Sequence, residues 1–206
     1  LFERVVRKDM VSFLEDEGSF SHNQHGFRAG RSCLTQLVDH LDDLLKDLEN
    51  GQNVDVLYLD MSKAFDKVCH TRLLEKLARA GIGGKLLAWL ESFLVGRSQA
   101  VVVDGVKSKV APVESGVPQG TVLAPLLFLL YVDDMSAVLK HSTMKLFADD
   151  AKVKKSIKTE EDRSLLMDDM NRINQWATEN SMELNAQKYQ LLQHGRNEPL
   201  KMPYSL

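Results

Sequence analysis

Two tetrads of the same shape, aromatic, small, Asp, Asp, lie close together in this chain: "YVDD" from Tyr131 to Asp134 and "FADD" from Phe147 to Asp150. Adjacent carboxylates are hard oxygen donors of the kind magnesium takes. Two such ions about 3.5–4 Å apart, held by acids from separate elements, run phosphoryl transfer. A third acid, Asp60, closes the apolar run "VDVLYLD" at 54–60. The chemistry therefore needs Asp60 and one of the two pairs on rigid, neighbouring elements.

The patterns around each pair decide between them. "VDVLYLD" is short, apolar and bounded by turn signals, as a buried strand is, with Asp60 at its end. "STMKLFADDAKVKKSI" reads as two short strands meeting at Asp149 and Asp150, a hairpin that would stand beside the first strand in one sheet. By contrast, Leu123, Leu126, Leu127, Leu130 and Tyr131 repeat at helical spacing, with Pro125 tolerable in the first turn. Asp133 and Asp134 then fall near a helix C-terminus, the wrong pole of its dipole for an acid. "FADD" is the expected metal pair and "YVDD" a helix end. Successive strand residues face opposite ways, so Asp149 is the firmer ligand and Asp150 reaches the site only where the turn bends it in. A helix N-cap remains the competing reading for Asp60.

The remaining elements alternate without the regularity of a parallel doubly wound sheet. Helical spacing runs over 2–17; Ser32 is a good N-cap for a leucine-rich helix closed by Asn50-Gly51; helices follow at about 70–80 and 85–95. "QAVVVDGVKSKVAPV" is a hairpin with Asp104-Gly105 at its tip. Thr159 caps a long helix with acids in its first turn. The expected fold class is α+β, an antiparallel sheet packed on helices. Arg28 and Arg31 flank Gly30 ahead of a helix N-terminus, a cradle for backbone phosphate or else surface partners for the acids at 39–49.

Composition narrows the function. The chain has 206 residues, 44% apolar and 27% charged, enough for one sizeable core or two packed subdomains. No run of about 18 apolar residues is present, so no membrane span is expected, nor a secretory leader. Cys33 and Cys69 are isolated, without metal-ligand spacing, and the six histidines form no ligand-spaced pair. The net charge of −3 is the wrong sign for a simple nucleic-acid binder. Lys152, Lys154, Lys155 and Lys158 nevertheless form a basic stretch along which a nucleic-acid backbone could run. The opening at "LFERVV" and the end at "KMPYSL" read as a piece of something larger.

The ordered series "NQHGFRAGRS", "LYLDMSKAFDKV", "SGVPQGTVLAPLLFLLYVDDM", "LFADDAK" and "NSMELNAQKYQ" resembles the reverse transcriptase domain of non-LTR (LINE-type) retrotransposons, of the jockey and chicken-repeat-like groups. The resemblance covers about 20 to 194. It implies a right-hand polymerase, with partial fingers at 1–53 and a fingers-side insertion at 81–115. It implies a palm at 54–80 and 116–194, and a truncated lead toward a missing thumb at 195–206. It puts the metal acids on Asp60, Asp149 and Asp150, with two Mg2+ ions, in agreement with the strand reading. It implies that Phe65 lies under the sugar and selects deoxyribonucleotides, and that Gln119, with Gly120 beside it, lies near the incoming nucleotide. Lys188 would face the triphosphate on a loop oriented by Asn185; Tyr189 stands where the family often has Thr. The bland readings are core for Phe65, a plain turn for Gln119, a surface lysine for Lys188, and an Asp66 paired with Lys63 or Lys67. The implied partners are an RNA template, a DNA primer and deoxynucleoside triphosphates, with an endonuclease elsewhere in the parent polyprotein, and the implied compartment is the nucleus. The rival readings are a group II intron maturase-type reverse transcriptase and a non-catalytic or domesticated nucleic-acid-binding scaffold.

Overall fold

Ser32 and Thr159 both cap helices as their sequence contexts predict, each within a reciprocal capping box: Ser32 with Thr35, Thr159 with Asp162. The computed structural model describes residues 1–195. Its helices are α1 (Phe2–Asp16), α2 (Cys33–Glu49), α3 (His70–Arg79), α4 (Gly84–Leu94), α5 (Ala124–Val132) and α6 (Glu160–Glu179). Its strands are β1 (Asn53–Leu59), β2 (Ser98–Gln99), β3 (Val102–Val103), β4 (Val106–Lys107), β5 (Ala111–Pro112), β6 (Thr143–Phe147), β7 (Asp150–Ile157) and β8 (Gln190–His194). They form two compact units, one made of Leu1–Ser19 with Lys63–Tyr131, the other of Phe20–Ser62 with the chain from Val132 on. The lead toward a thumb expected at 195–206 lies, beyond Gly195, outside the described residues.

The second unit is built on a four-stranded sheet of order β6-β7-β1-β8, antiparallel throughout. Strand β1 is central and almost wholly buried because both faces of its apolar run are covered. Leu44 and Leu48 of α2 pack on Val54, Val56 and Tyr58. Helix α6 buries Leu166, Met170, Ile173 and Trp176. Strand β8 was not legible in the sequence. Its residues are mostly exposed, without clean alternation, and it pairs with β1 at the sheet edge, where the Gln193 amide donates to both carboxylate oxygens of buried Asp55.

The first unit holds α1, α3, α4, α5 and the short hairpins. The tip of the β3–β4 hairpin is Asp104-Gly105, both at positive φ, as the turn signal predicts. Glu3 supplies what the "TVLAP" segment lacks, its carboxylate accepting the Val122 and Leu123 N–H groups at the start of α5.

Candidate active site

Asp60 follows the last residue of β1, and the register sets Leu59 opposite Ala151 and Phe147 opposite Asp150. Strand pairing therefore carries Asp60, Asp149 and Asp150 to one end of the sheet, as the strand reading required. The "FADD" turn is two residues long, Ala148-Asp149, with Ala148 at φ +56° although it is not glycine. Asp149 is half-buried and Asp150 more exposed. Burial pushes the Asp149 carboxyl above its ordinary range, and the neighbouring Asp150 and Asp60 carboxylates add to this, against the pull of a backbone hydrogen bond and of Lys188.

The chain beyond β1 positions Lys188. Asp60 accepts the Asn185 N–H at its carbonyl (2.8 Å), Ser62 donates to the Glu183 carbonyl, and Asn185 Oδ1 caps a single 3-10 turn over Ala186–Lys188. This turn brings Lys188 Nζ to 3.0 Å from Asp60 Oδ2, with the lysine side chain 61% exposed and the aspartate 23%. Asn185 thus orients the loop in the way the resemblance implied. A cleft of about 610 Å³ opens here, lined by Asp60, Asp150, Lys152, Lys188, Tyr58 and Gln36 among others.

The first unit holds three further expected site residues, Phe65, Gln119 and Gly120, in a pocket of about 450 Å³ that Asp66 and Thr121 also line. Phe65 stacks on buried Phe128, centroids 4.4 Å apart and planes 13° from parallel. Backbone hydrogen bonds from Gly116 N–H to the Val68 carbonyl and from Val117 N–H to the Phe65 carbonyl clip the "SKAFDKV" and "SGVPQG" segments together. Gly116 is required there: at φ +88° a Cβ would stand 2.9 Å from Asp66 Cα. His70 and Arg97, which sequence reasoning left without roles, both meet the Gly116 carbonyl, at 2.9 and 2.7 Å. Asp66 takes the Gln119 amide (2.6 Å), a partner the sequence did not suggest in place of Lys63 or Lys67.

The "YVDD" tetrad is tied into the fold by hydrogen bonds, in a setting that differs from a helix end. Helix α5 stops at Val132, and Asp133 and Asp134 begin a 3-10 helix, Asp133–Val138. Both Asp133 oxygens accept the Ser21 N–H, and Asp134 accepts the Trp176 indole N–H (2.9 Å). Tyr131 is buried, its hydroxyl accepting the Cys69 N–H and its carbonyl the Lys76 ammonium.

Basic residues turn inward more than the sequence suggested. Arg28 donates to the Ser21 carbonyl and lies over the Phe20 ring; Arg31 donates to the His22 carbonyl. Lys152 reaches Gln36, Lys154 pairs with Asp47 and Lys155 with Asp162, because the strand turns these side chains toward α2 and α6 instead of leaving a free basic track.

An antiparallel sheet carrying three aspartates at one end, from the end of a central strand and the turn beside it, is the palm of a right-hand polymerase. The family model for reverse transcriptase (RNA-dependent DNA polymerase) matches residues 2–201, and the chain belongs to that family. It is 33% identical over 193 residues to a Drosophila melanogaster protein assigned as the RNA-directed DNA polymerase of transposon X-element, covering 91% of this chain and 21% of that protein. It is 31% identical over 196 residues to the RNA-directed DNA polymerase from mobile element jockey of Drosophila funebris, with the same coverage of 91% and 21%. The chain thus spans about a fifth of the length of these relatives. Among solved structures, apo telomerase from Candida Tropicalis truncated from its C-terminal domain superposes with a TM-score of 0.72 at 15% identity, over 98% of this chain and 42% of that one. That likeness is one of fold.

Asp60, Asp149 and Asp150 are three hard carboxylate donors at one end of the sheet, the donor type that divalent cations such as magnesium take. Among the described residues, however, no three acids or histidines are arranged around one ion position.

Proposed function

We propose that this chain is the palm and partial fingers of a non-LTR retrotransposon reverse transcriptase, adding deoxynucleotides to a primer 3′ end on an RNA template. The observation that carries this reading is the strand register, which brings Asp60 at the end of β1 and Asp149 and Asp150 in the turn between β6 and β7 to one end of the sheet. Asp60, Asp149 and Asp150 would hold two magnesium ions, which when bound lower the pKa of the primer hydroxyl and neutralise the triphosphate. The chain's own groups do the rest. Lys188, tethered by the Asn185 turn, lends positive charge beside Asp60 to the departing pyrophosphate. Phe65, fixed against Phe128, walls the sugar and disfavours a 2′-hydroxyl. Gln119, held by Asp66, and Gly120 line the pocket assigned to the nucleotide. Arg28 and Arg31 stiffen the loop ahead of α2 through their carbonyl partners and would take backbone phosphate with their remaining N–H groups. Fingers at 1–53 and 81–115 and palm at 54–80 and 116–194 belong to the same proposal, as does work in the nucleus at a chromosomal primer. Among the described residues no helix is long and apolar enough to cross a membrane.

The rival reading, a non-catalytic nucleic-acid scaffold, draws on the Lys188–Asp60 ion pair, in which a cation of the chain itself occupies the aspartate. Primer extension on an RNA template with deoxynucleotides and Mg2+ separates the two. The chain is expected to extend, Asp149→Asn to lose extension by at least about a thousandfold, and Asp133→Asn to retain it. Loss in Asp133→Asn alone would move the site to "YVDD", and a silent parent chain would favour the scaffold.

A further inference from the structure

The loop at 23–26, inside "NQHGFRAGRS", has no role in the chemistry above, yet it runs along the catalytic hairpin. Leu146 N–H donates to the Asn23 carbonyl (2.8 Å), and His25 N–H donates to the Leu146 carbonyl (2.9 Å). Between these two bonds Gln24, 0% exposed, turns its amide onto the "FADD" turn. Its Oε1 accepts both the Ala148 N–H (2.9 Å) and the Gly26 N–H (2.8 Å), and its Nε2 reaches the Ala148 carbonyl at 3.4 Å.

Two further facts mark this contact as more than packing. Ala148 is held at φ +56°, a conformation an alanine seldom adopts, so something outside the turn must fix it. The loop also approaches so closely that a Cβ on Gly26 would lie 2.4 Å from Ala148 N and 3.1 Å from Ala148 Cα. Only glycine permits the approach, and a buried amide with two acceptor bonds and one donor contact occupies it.

We propose that Gln24 is a positioning residue whose side-chain amide, admitted by Gly26, clamps the backbone of Ala148 and so aims the Asp149 carboxylate at the metal site. The inference rests on the polymerase reading, since aiming matters only if Asp149 binds metal. The peptide that Gln24 grips immediately precedes Asp149, so its orientation sets the direction in which that carboxylate leaves the turn.

The test uses the whole chain with Gln24→Met, which keeps side-chain length and removes the polar contacts, and with Gly26→Ala, which keeps Gln24 and disturbs the approach. Three quantities are read: amide hydrogen exchange at Ala148 and Gly26, Mn2+ affinity, and kcat and KM for single-nucleotide addition. Gln24→Met is expected to speed exchange at those two amides about tenfold while amides of β1 keep their protection. It should also weaken Mn2+ binding several-fold and lower kcat about tenfold with KM for the nucleotide nearly unchanged. Gly26→Ala should give the same kcat and Mn2+ losses. Faster exchange with unaltered Mn2+ affinity and kcat in Gln24→Met would overturn the proposal, as would unaltered exchange. Losses in both variants that merely track a lower melting temperature would overturn it too. A wild-type chain that binds Mn2+ at these acids without extending a primer defeats the polymerase reading alone, and the exchange and Mn2+ results still decide the clamp. A chain that does neither defeats both.

Discussion

Phe65 lies face to face with Phe128 and lines a pocket with Gln119 and Gly120, so its ring is a fixed wall and not a mobile side chain. Truncation to Phe65→Val removes that wall. The ratio of ribonucleotide to deoxyribonucleotide incorporation is expected to rise about ten- to hundredfold, the range that a steric pocket contact commands. Competing single-nucleotide extension rates measure it, and an unchanged ratio would remove Phe65 from sugar selection. Residue identity was the most legible level of this protein. The local setting of Asp60, Asp149 and Asp150 was legible, because a strand end and a hairpin turn leave a recognisable pattern in apolar periodicity. Their neighbours were not. Asp66 holds Gln119, Asp133 holds Ser21 and Gln24 holds Ala148, and no local pattern encodes a contact between residues 124 positions apart in the last case.

At the scale of elements, α6 is tied to the approach to β6 by one buried acid. Asp169, 0% exposed, accepts the N–H groups of Lys140 (2.9 Å), His141 (2.8 Å) and Ser142 (2.8 Å), with the Ser142 hydroxyl and the Arg172 guanidinium both at 2.7 Å. Burial alone would raise this carboxyl, but the hydrogen bonds from Ser142, Lys140, His141 and Arg172 outweigh it and hold it below its ordinary 3.8. The unfolded chain then binds this proton more readily than the folded one. The stabilisation is complete above the unfolded pKa and is lost as pH falls through the folded value. Denaturant unfolding should show stability declining below about pH 4, and Asp169→Ala should flatten that decline. At neutral pH the same substitution, which leaves three N–H groups without their acceptor, should cost about 3–5 kcal/mol. A loss under about 1 kcal/mol would mean water replaces the carboxylate. The helices themselves were legible, since caps and 3.6-residue spacing are local. Strand β8 and the 3-10 turn after α5 were not, because edge pairing and the hydrogen bonds of Asp133 and Asp134 set them.

At the scale of the whole molecule, a net charge of −3 belongs to a chain whose relatives are RNA-directed DNA polymerases. Many of its cations are already committed: Lys145 lies 3.7 Å from both Asp39 and Asp43, Lys154 pairs with Asp47 at 2.6 Å and is 13% exposed, and Lys155 lies 3.6 Å from Asp162. Binding to a primer–template duplex is therefore expected to be weak, with a shallow salt dependence. The slope of log K against log salt should be about −3 or less steep, corresponding to few phosphate contacts. Fluorescence anisotropy across a salt titration measures it. A slope near −6 would show that the paired lysines leave their acids for phosphate, and that the basic stretch after the hairpin is a track after all.

By itself the sequence determined the helices, most of the strands and the family, because period-two and period-3.6 patterning, caps and turn residues act within a few positions. It also set "FADD" in a hairpin turn and the acids of "YVDD" after a helix, since the two leave different local patterns. Only the tertiary structure decided which group each polar side chain meets: Lys188 on Asp60, Gln119 on Asp66, the indole of Trp176 on Asp134, the amide of Gln24 on Ala148. A buried polar group must find a partner wherever the chain's path provides one. That path is set by the packing of the whole sheet and its helices and not by the residues beside the group in sequence.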